Sequence, residues 1–339
     1  MNNPSQTPPS AVMMQMLFGY SVSRAVGIAA ELGIADLIKN APKTADDLAA
    51  LTGSHPRSLY RLLRACASVG VFSEDADNRF SLTPLAECLC SDNPESLRAF
   101  AIMITSDIQF KMWAELPYSI KTGEPAFDKV FGMPNFDYYF SHEKEGKIFN
   151  DAMTSLSMGS SMIVLENYDF TGIKRLVDVG GGHGFLLVSI LKKYPEMTGV
   201  LFDNEVVVQE AKVLLQEHGV ADRCATFGGD FFKTAPLGGD AYILKHIIHD
   251  WSDEECLTIL SNCRKGIATG GKILVVEMVV PEGNEPSISK LLDLSMLAIL
   301  TGRERTANEY ETLLKKAGFE VTKIVPTMSP YSIIEGMAI

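Results

Sequence analysis

The sequence predicts an α/β protein: a doubly wound, mostly parallel sheet with an antiparallel last strand, preceded by a helical, winged-helix-like domain. Three observations carry this. From about residue 174, short apolar runs alternate with helix-period segments, the pattern of a parallel sheet covered by helices on both faces. The last two apolar runs are separated only by Thr327-Met-Ser-Pro330, too short a link for a crossover, so those two strands pair antiparallel. Before residue 100 the order is helix, turn, helix and small hairpin.

With 339 residues, 46% hydrophobic and 21% charged, the chain has apolar material for two cores. No run approaches the roughly 18 uninterrupted apolar residues of a membrane helix. Residues 1–10 are polar and proline-rich, without the basic start and apolar centre of a signal peptide. They read as a disordered leader, and the protein as cytoplasmic with no membrane partner. The six cysteines form no CxxC pair and have no histidine at ligand spacing, which predicts buried reduced thiols and no metal. Thirty basic residues against 42 acidic give a net charge of −12, which disfavours nucleic acid as a partner.

Taken in order, residues 11–100 form the first domain. Val26, Ile28, Ala29, Leu32, Ile34, Leu37 and Ile38 recur at helical spacing. Thr44 is placed as an N-cap with Asp47 at the third helical position, and Gly53 ends that helix. Pro56 opens the next helix, through Leu59, Leu62, Leu63 and Cys66. Gly70-Val-Phe72, the turn Asp75–Asn78 and Arg79-Phe-Ser-Leu82 read as a hairpin. Such a winged helix, with Arg57, Arg61 and Arg64 on its second helix, raises the reading of a ligand-sensing DNA-binding regulator. Eight basic against ten acidic residues in the first hundred, and no basic wing, favour a scaffold or dimerisation module. Residues 101–165 are helical and rich in Met and aromatics, a linker whose minority of non-core side chains faces an apolar ligand pocket.

Residues 166–339 form the second domain. Strands are expected at Arg175–Gly180, Gly199–Asp203, Ala225–Gly228, Asp240–His246, Lys272–Val280, Glu320–Pro326 and Tyr331–Ala338, with helices to Tyr194 and His218 and near 253–266 and 306–317. The sharpest signal is Leu176-Val-Asp-Val-Gly-Gly-Gly-His-Gly184, an apolar strand running into a glycine-dense turn and then a helix. Glycines let the backbone approach a ligand, and the helix start supplies free N–H groups.

Three features favour S-adenosylmethionine over a nicotinamide dinucleotide there. The glycines stand at 180, 181, 182 and 184, not in GxGxxG spacing. Asp178 lies inside the first strand, where it can organise the loop and the cationic end of the ligand. Asp203 ends the second strand, where a carboxylate can accept both ribose hydroxyls. After the third strand, Asp230 is placed to reach the adenine amino group and Phe231 to pack on the ring; a turn aspartate with core aromatics is the alternative.

Lys245–Cys256, KHIIHDWSDEEC, places His249 just past a strand end beside the expected crevice, followed by Asp250. Histidine is the usual general base near neutral pH. Two carboxylates are available to orient its imidazole: Glu277, in an apolar run where burial is costly without a partner, and Glu304 in Gly302-Arg-Glu-Arg-Thr306.

The ordered set LVDVGGGHG, LFDNEVV, GGDFF, KHIIHDWSDEEC, ILVVEMVVP and GRERT resembles the plant caffeic acid and isoflavone O-methyltransferases and their bacterial relatives acting on polyketide, carotenoid and phenolic hydroxyls. The similarity runs over nearly the whole chain. It implies a Rossmann-like catalytic domain and an N-terminal domain used for homodimerisation. It also implies a cofactor site of Gly180, Gly182, Asp203, Asp230, Phe231 and Lys245, with His249 as base flanked by Glu277 and Glu304, no metal, and a small hydroxyl-bearing acceptor. By the same resemblance, the partner subunit's segment near Met13–Phe18 contributes to the acceptor pocket. His246 stands where plant members often have Trp, Tyr139 near where some carry a pocket His, and the loop before Gly302 is about a residue shorter. The plant phenylpropanoid substrates therefore do not carry over. Transfer to carbon or nitrogen, or a non-methylating reaction on the same scaffold, is the alternative.

Overall fold

The computed structural model describes residues 7–339. Two compact units emerge, one of residues up to Lys111 with Tyr139–Leu156, the other of Met112–Tyr138 with Ser157–Ile339. The helical stretch 101–165, expected as one linker, is thus shared between them. Most of the expected leader lies outside the described residues, but Pro9 and Ser10 already belong to a helix, Pro9–Leu17.

In the first unit the helices Gly19–Glu31, Ile34–Ile38, Ala45–Thr52 and Pro56–Ser68 surround a core that includes Ile34, Leu48, Leu63, Phe72 and Phe80. Thr44 and Asp47 form the full reciprocal capping box, and Gly53 closes that helix at φ +67°. Leu59, Leu63 and Cys66 fall on one face of Pro56–Ser68, which leaves Arg57, Arg61 and Arg64 exposed. The hairpin exists and gains a strand that the sequence reading missed: β1 (Lys43–Thr44), β2 (Phe72–Glu74) and β3 (Arg79–Leu82) order as β1-β3-β2. The tip of this wing is acidic. Asp75 Oδ1 accepts the N–H of Asp77 and of Arg79, which fixes the turn with carboxylates where a DNA-binding wing needs cations.

The second unit holds a seven-stranded sheet. Its strands are β4 (Arg175–Val179), β5 (Thr198–Asp203), β6 (Cys224–Gly228), β7 (Gly239–Lys245), β8 (Ile267–Met278), β9 (Phe319–Pro326) and β10 (Tyr331–Ala338). They order as β6-β5-β4-β7-β8-β10-β9; β10 runs antiparallel to both neighbours and the other pairs are parallel. The period of two sorts the side chains: Leu176 packs into one layer with Leu187, Leu191, Val208 and Leu215, while Val177 and Val179 pack into the other with Ile259, Cys263 and Leu313. The helix Ile288–Ile299 also escaped the sequence reading. All six cysteines are free thiols, five of them buried. Among the described residues no helix is long and apolar enough to cross a membrane.

This topology decides where a ligand goes. The chain leaves β4 to build β5 and β6 on one side, then returns to lay β7 on the other, so the crevice opens at the carboxyl ends of β4 and β7.

Candidate active site

The first wall of the crevice is the turn after β4. Gly180, Gly182 and Gly184 have φ of +69°, +57° and +85°, conformations closed to most side chains. Gly181 is required for another reason. A Cβ there would stand 2.5 Å from Leu201 Cδ1 and 2.7 Å from Asp178 Oδ2, so the turn lies directly on the Asp178 carboxylate. Gly184 then caps the helix Phe185–Lys193.

Asp203, at the end of β5, takes the N–H of Gly182 on Oδ2 at 2.8 Å and that of Asn204 on Oδ1 at 2.7 Å. Each oxygen keeps a lone pair. The carboxylate is therefore fixed across the mouth of the glycine turn. Asp178 is buried, with Oδ2 lacking a hydrogen-bond partner among the described residues. Burial pushes its acid up to about 7, against the pull of Lys245. Lys245 is itself pushed down to about 8 by burial, with Asp178 and Glu277 opposing, and donates to Ser157 Oγ at 2.8 Å and Ser160 Oγ at 3.3 Å. The two serines were not foreseen.

Asp230 serves a turn first: Oδ1 accepts the Phe232 N–H at 2.9 Å and Oδ2 pairs with Lys233 at 3.1 Å. Phe231 does come to the loop. Its ring lies 3.7 Å from the position a Gly180 Cβ would take, and it contacts Phe232 and Trp251 edge-on.

The second wall is the turn after β7. His246 adopts φ +57°, unusual outside glycine, and reverses the chain into the short 3-10 turn Ile248–Asp250. The parallel register pairs Lys245 with Val276, so Glu277 falls one residue beyond, under that turn. Its side chain is fully buried, and Oε1 accepts three backbone N–H groups: Ile247 and Ile248 at 2.9 Å and His249 at 3.3 Å. Glu304 instead holds the imidazole, with Oε1 2.8 Å from His249 Nδ1. Its own N–H is tied to Asp293 Oδ1 at 2.9 Å. The sequence left these two glutamates interchangeable; the structure separates them, Glu277 fastening the backbone and Glu304 the ring. Asp250 Oδ1 lies 3.4 Å from His249 Nε2.

Two residues that the sequence reading did not single out complete this turn. Arg305 is wholly buried, and its guanidinium donates to the carbonyls of Ile248, Trp251 and Arg303 and to Asp253 Oδ1. Gly302 touches the turn so closely that a Cβ would meet the His249 carbonyl oxygen at 2.0 Å.

The charges follow from the packing. Burial works against a charged His249, but Glu277, Asp250 and Glu304 outweigh it and raise the imidazole to about 10. Burial pushes Glu277 up to about 7 and Asp250 up to about 6, His249 opposing both. His246 goes the other way, well below its usual value, through burial and the neighbouring charges of Lys245 and His249. The carboxyl end of the sheet thus carries a basic histidine beside a neutral one.

Comparison with known proteins decides the family. The O-methyltransferase domain model matches residues 113–320, and the O-methyltransferase dimerisation domain model matches residues 14–92. The chain belongs to the O-methyltransferase family. Phenazine O-methyltransferase PhzM of Lysobacter antibioticus is 44% identical to this O-methyltransferase over 338 residues, covering 100% of this chain and 99% of that one. The structure of CalO1, a methyltransferase in calicheamicin biosynthesis in its SAH-bound form, matches with a TM-score of 0.88 at 34% identity over 98% of this chain and 100% of that chain. An 8-amino-8-demethylriboflavin N,N-dimethyltransferase of Streptomyces davaonensis is 32% identical over 96% of both chains. This O-methyltransferase uses S-adenosylmethionine, and its residues fit that cofactor. The orphaned, buried Asp178 oxygen and the glycine turn that admits no side chain suit a cationic nucleoside pressed against the backbone.

Proposed function

We propose that this O-methyltransferase methylates a hydroxyl, preferably phenolic, of a small natural product, with His249 as general base. The 2.8 Å contact of Glu304 with His249 Nδ1 carries the reading. A carboxylate on Nδ1 holds the proton there, so Nε2 presents its lone pair to an incoming hydroxyl. The cofactor, when bound, supplies an electrophilic methyl group on a sulfonium. Asp203 and the turn from Gly180 to Gly182 would hold its nucleoside, with Phe231 against the turn, while Asp178 and Lys245 set the charge beneath it. Asp230 is kept as a secondary contact through its free lone pairs. What remains for the protein is to align the acceptor oxygen with the methyl and to take its proton. A phenol, with a pKa near roughly 10, is poorly ionised at neutral pH. An imidazole raised to about 10 matches the phenol in basicity, so once the ring has lost its proton the transfer from oxygen to Nε2 is close to balanced. Asp250, close to Nε2, stabilises the imidazolium that forms.

The functional unit in this reading is a homodimer. The helix Pro9–Leu17 and the following turn leave Met13, Met14, Met16, Leu17 and Phe18 more than half exposed, an apolar surface of the kind a second subunit covers. In this reading residues 11–100 form the dimerisation module and residues 166–339 the catalytic one.

The test is His249→Ala, assayed for turnover and for S-adenosylhomocysteine affinity. Turnover falls about 1,000-fold while cofactor affinity changes little; equal losses in both would count against a base. The riboflavin-type relative favours a second reading, in which the acceptor is an amine. A neutral amine already carries its lone pair, so His249→Ala would then leave turnover nearly intact.

A further inference from the structure

We propose that His246, His249 and Glu277 form a binding site for a divalent transition-metal ion of the zinc class, and that its occupation blocks the reaction. One ligand atom from each residue lies within 4.8 Å of the other two. Glu277 Oε2 stands 3.6 Å from His249 Nδ1 and 4.0 Å from His246 Nδ1. Tetrahedral coordination with bonds of about 2.1 Å puts ligand atoms about 3.4 Å apart, so shifts of a few tenths of an ångström close the site. Two imidazoles and one carboxylate suit zinc, copper or nickel, not magnesium, and leave a coordination position open.

An orphaned atom points the same way. Glu277 Oε2 is completely buried and makes no hydrogen bond among the described residues, although its twin Oε1 takes three. Leaving such an atom unpaired is costly, and a cation between the residues would satisfy it. His246 is held in place, with the Tyr331 ring edge-on at 4.5 Å.

The consequence for catalysis follows from the tautomer. A metal on His249 Nδ1 takes the lone pair whose proton otherwise faces Glu304 Oε1 at 2.8 Å, so Glu304 must turn from the ring or join the coordination sphere. The displaced proton goes to solvent when the ring starts charged and to Nε2 when it starts neutral; either way Nε2 carries a hydrogen and cannot accept a proton from the acceptor hydroxyl. The inhibition rests on His249 being the base; the binding does not.

The experiment is a calorimetric titration of the purified full chain with zinc chloride, alongside turnover with and without EDTA, for wild type and His246→Gln. S-adenosylhomocysteine affinity and thermal melting confirm that the variant is folded. The expected result is one zinc bound per chain at micromolar affinity, weakened about 100-fold in the folded variant, with wild-type turnover suppressed and restored by EDTA. Wild-type binding without suppression would uphold the site and sink His249 as base. Equal zinc binding by the two proteins, or none by either, overturns the proposal. Cobalt(II) titrated into wild type supplies a reading independent of any variant: a saturable visible band at one equivalent supports the site, and no band overturns it.

Discussion

Glu277 and Arg305 hold the backbone of one residue of the base-bearing turn: Glu277 Oε1 accepts the Ile248 N–H at 2.9 Å, and Arg305 donates to the Ile248 carbonyl at 2.8 Å. Apart from the single 3-10 turn Ile248–Asp250, this segment has no regular structure of its own to fix it. Its rigidity comes from two buried charged groups reaching it from β8 and from the segment after Gly302.

Arg305→Met therefore removes the charged donor and leaves the carbonyls of Ile248 and Trp251 to the weak thiol donor of Cys256. A loss of about 3 kcal/mol is expected, the scale for breaking a buried charged hydrogen-bond network. Urea unfolding checks it, and turnover measured well below the transition should also fall because His249 loses its support. A change within the error of a surface substitution would show that the turn is held by something else.

The pH profile follows from the three carboxylates around His249. A base acts only when unprotonated, and here the proton is held up to about 10. Activity in kcat/KM should thus climb with pH through the alkaline range, not level off near 7. Glu304→Gln removes one of the groups that raise the imidazole, so the rising limb moves to lower pH while kcat drops about 10- to 100-fold from loss of the tautomer lock. Glu277→Gln keeps one acceptor for the backbone but loses its charge; it should shift the limb in the same direction and lower stability as well. An unshifted limb in both variants would dissociate the pH dependence from His249.

Much of this site was legible in the sequence because it depends on short-range order. The glycine turn, Asp203 at a strand end and His249 past the next strand each follow from a few adjacent residues and the rule that ligands sit at carboxyl ends of strands. What distance in the chain conceals was not legible. Glu277 and Glu304 could be exchanged on paper, since only the β7–β8 register, Lys245 beside Val276, puts Glu277 under the turn. Arg305 reads as a surface charge in a polar run, yet it is wholly buried. Asp230 looked like a ligand contact, and its first duty is an Asx-type turn on Phe232. β1, two residues long, carries no period that a sequence reading can detect.

The cofactor assignment can be tested at one carboxylate. Asp203→Ala loses the carboxylate that braces Gly182 at the turn mouth, so S-adenosylmethionine and S-adenosylhomocysteine affinity should both fall about 100-fold by calorimetry, the cost of two charge-assisted hydrogen bonds. Asp230→Ala, whose oxygens are engaged in a turn and with Lys233, should cost less than tenfold, or about 1 kcal/mol. The reverse order would move the ribose contact away from β5.

Gly302 offers the most local test of turn position. Its conformation does not demand glycine, since only its space does: an alanine Cβ would stand 2.0 Å from the His249 carbonyl oxygen, 2.3 Å from Asp250 C and 2.5 Å from Trp251 N. These are backbone atoms of a turn that Glu277 and Arg305 hold, so they cannot move aside as a flexible side chain would. Gly302→Ala must displace either the turn or the strand of chain leading to Glu304, and in both cases the 2.8 Å contact between Glu304 and His249 lengthens. The cost is expected at about 1–3 kcal/mol, the range for overpacking. Because the glycine turn after β4 is untouched, S-adenosylhomocysteine affinity should stay near that of wild type while kcat falls at least about tenfold. Parallel loss of cofactor affinity would mean that the two walls of the crevice move together, and that the base-bearing turn is not the independent element its hydrogen bonds describe.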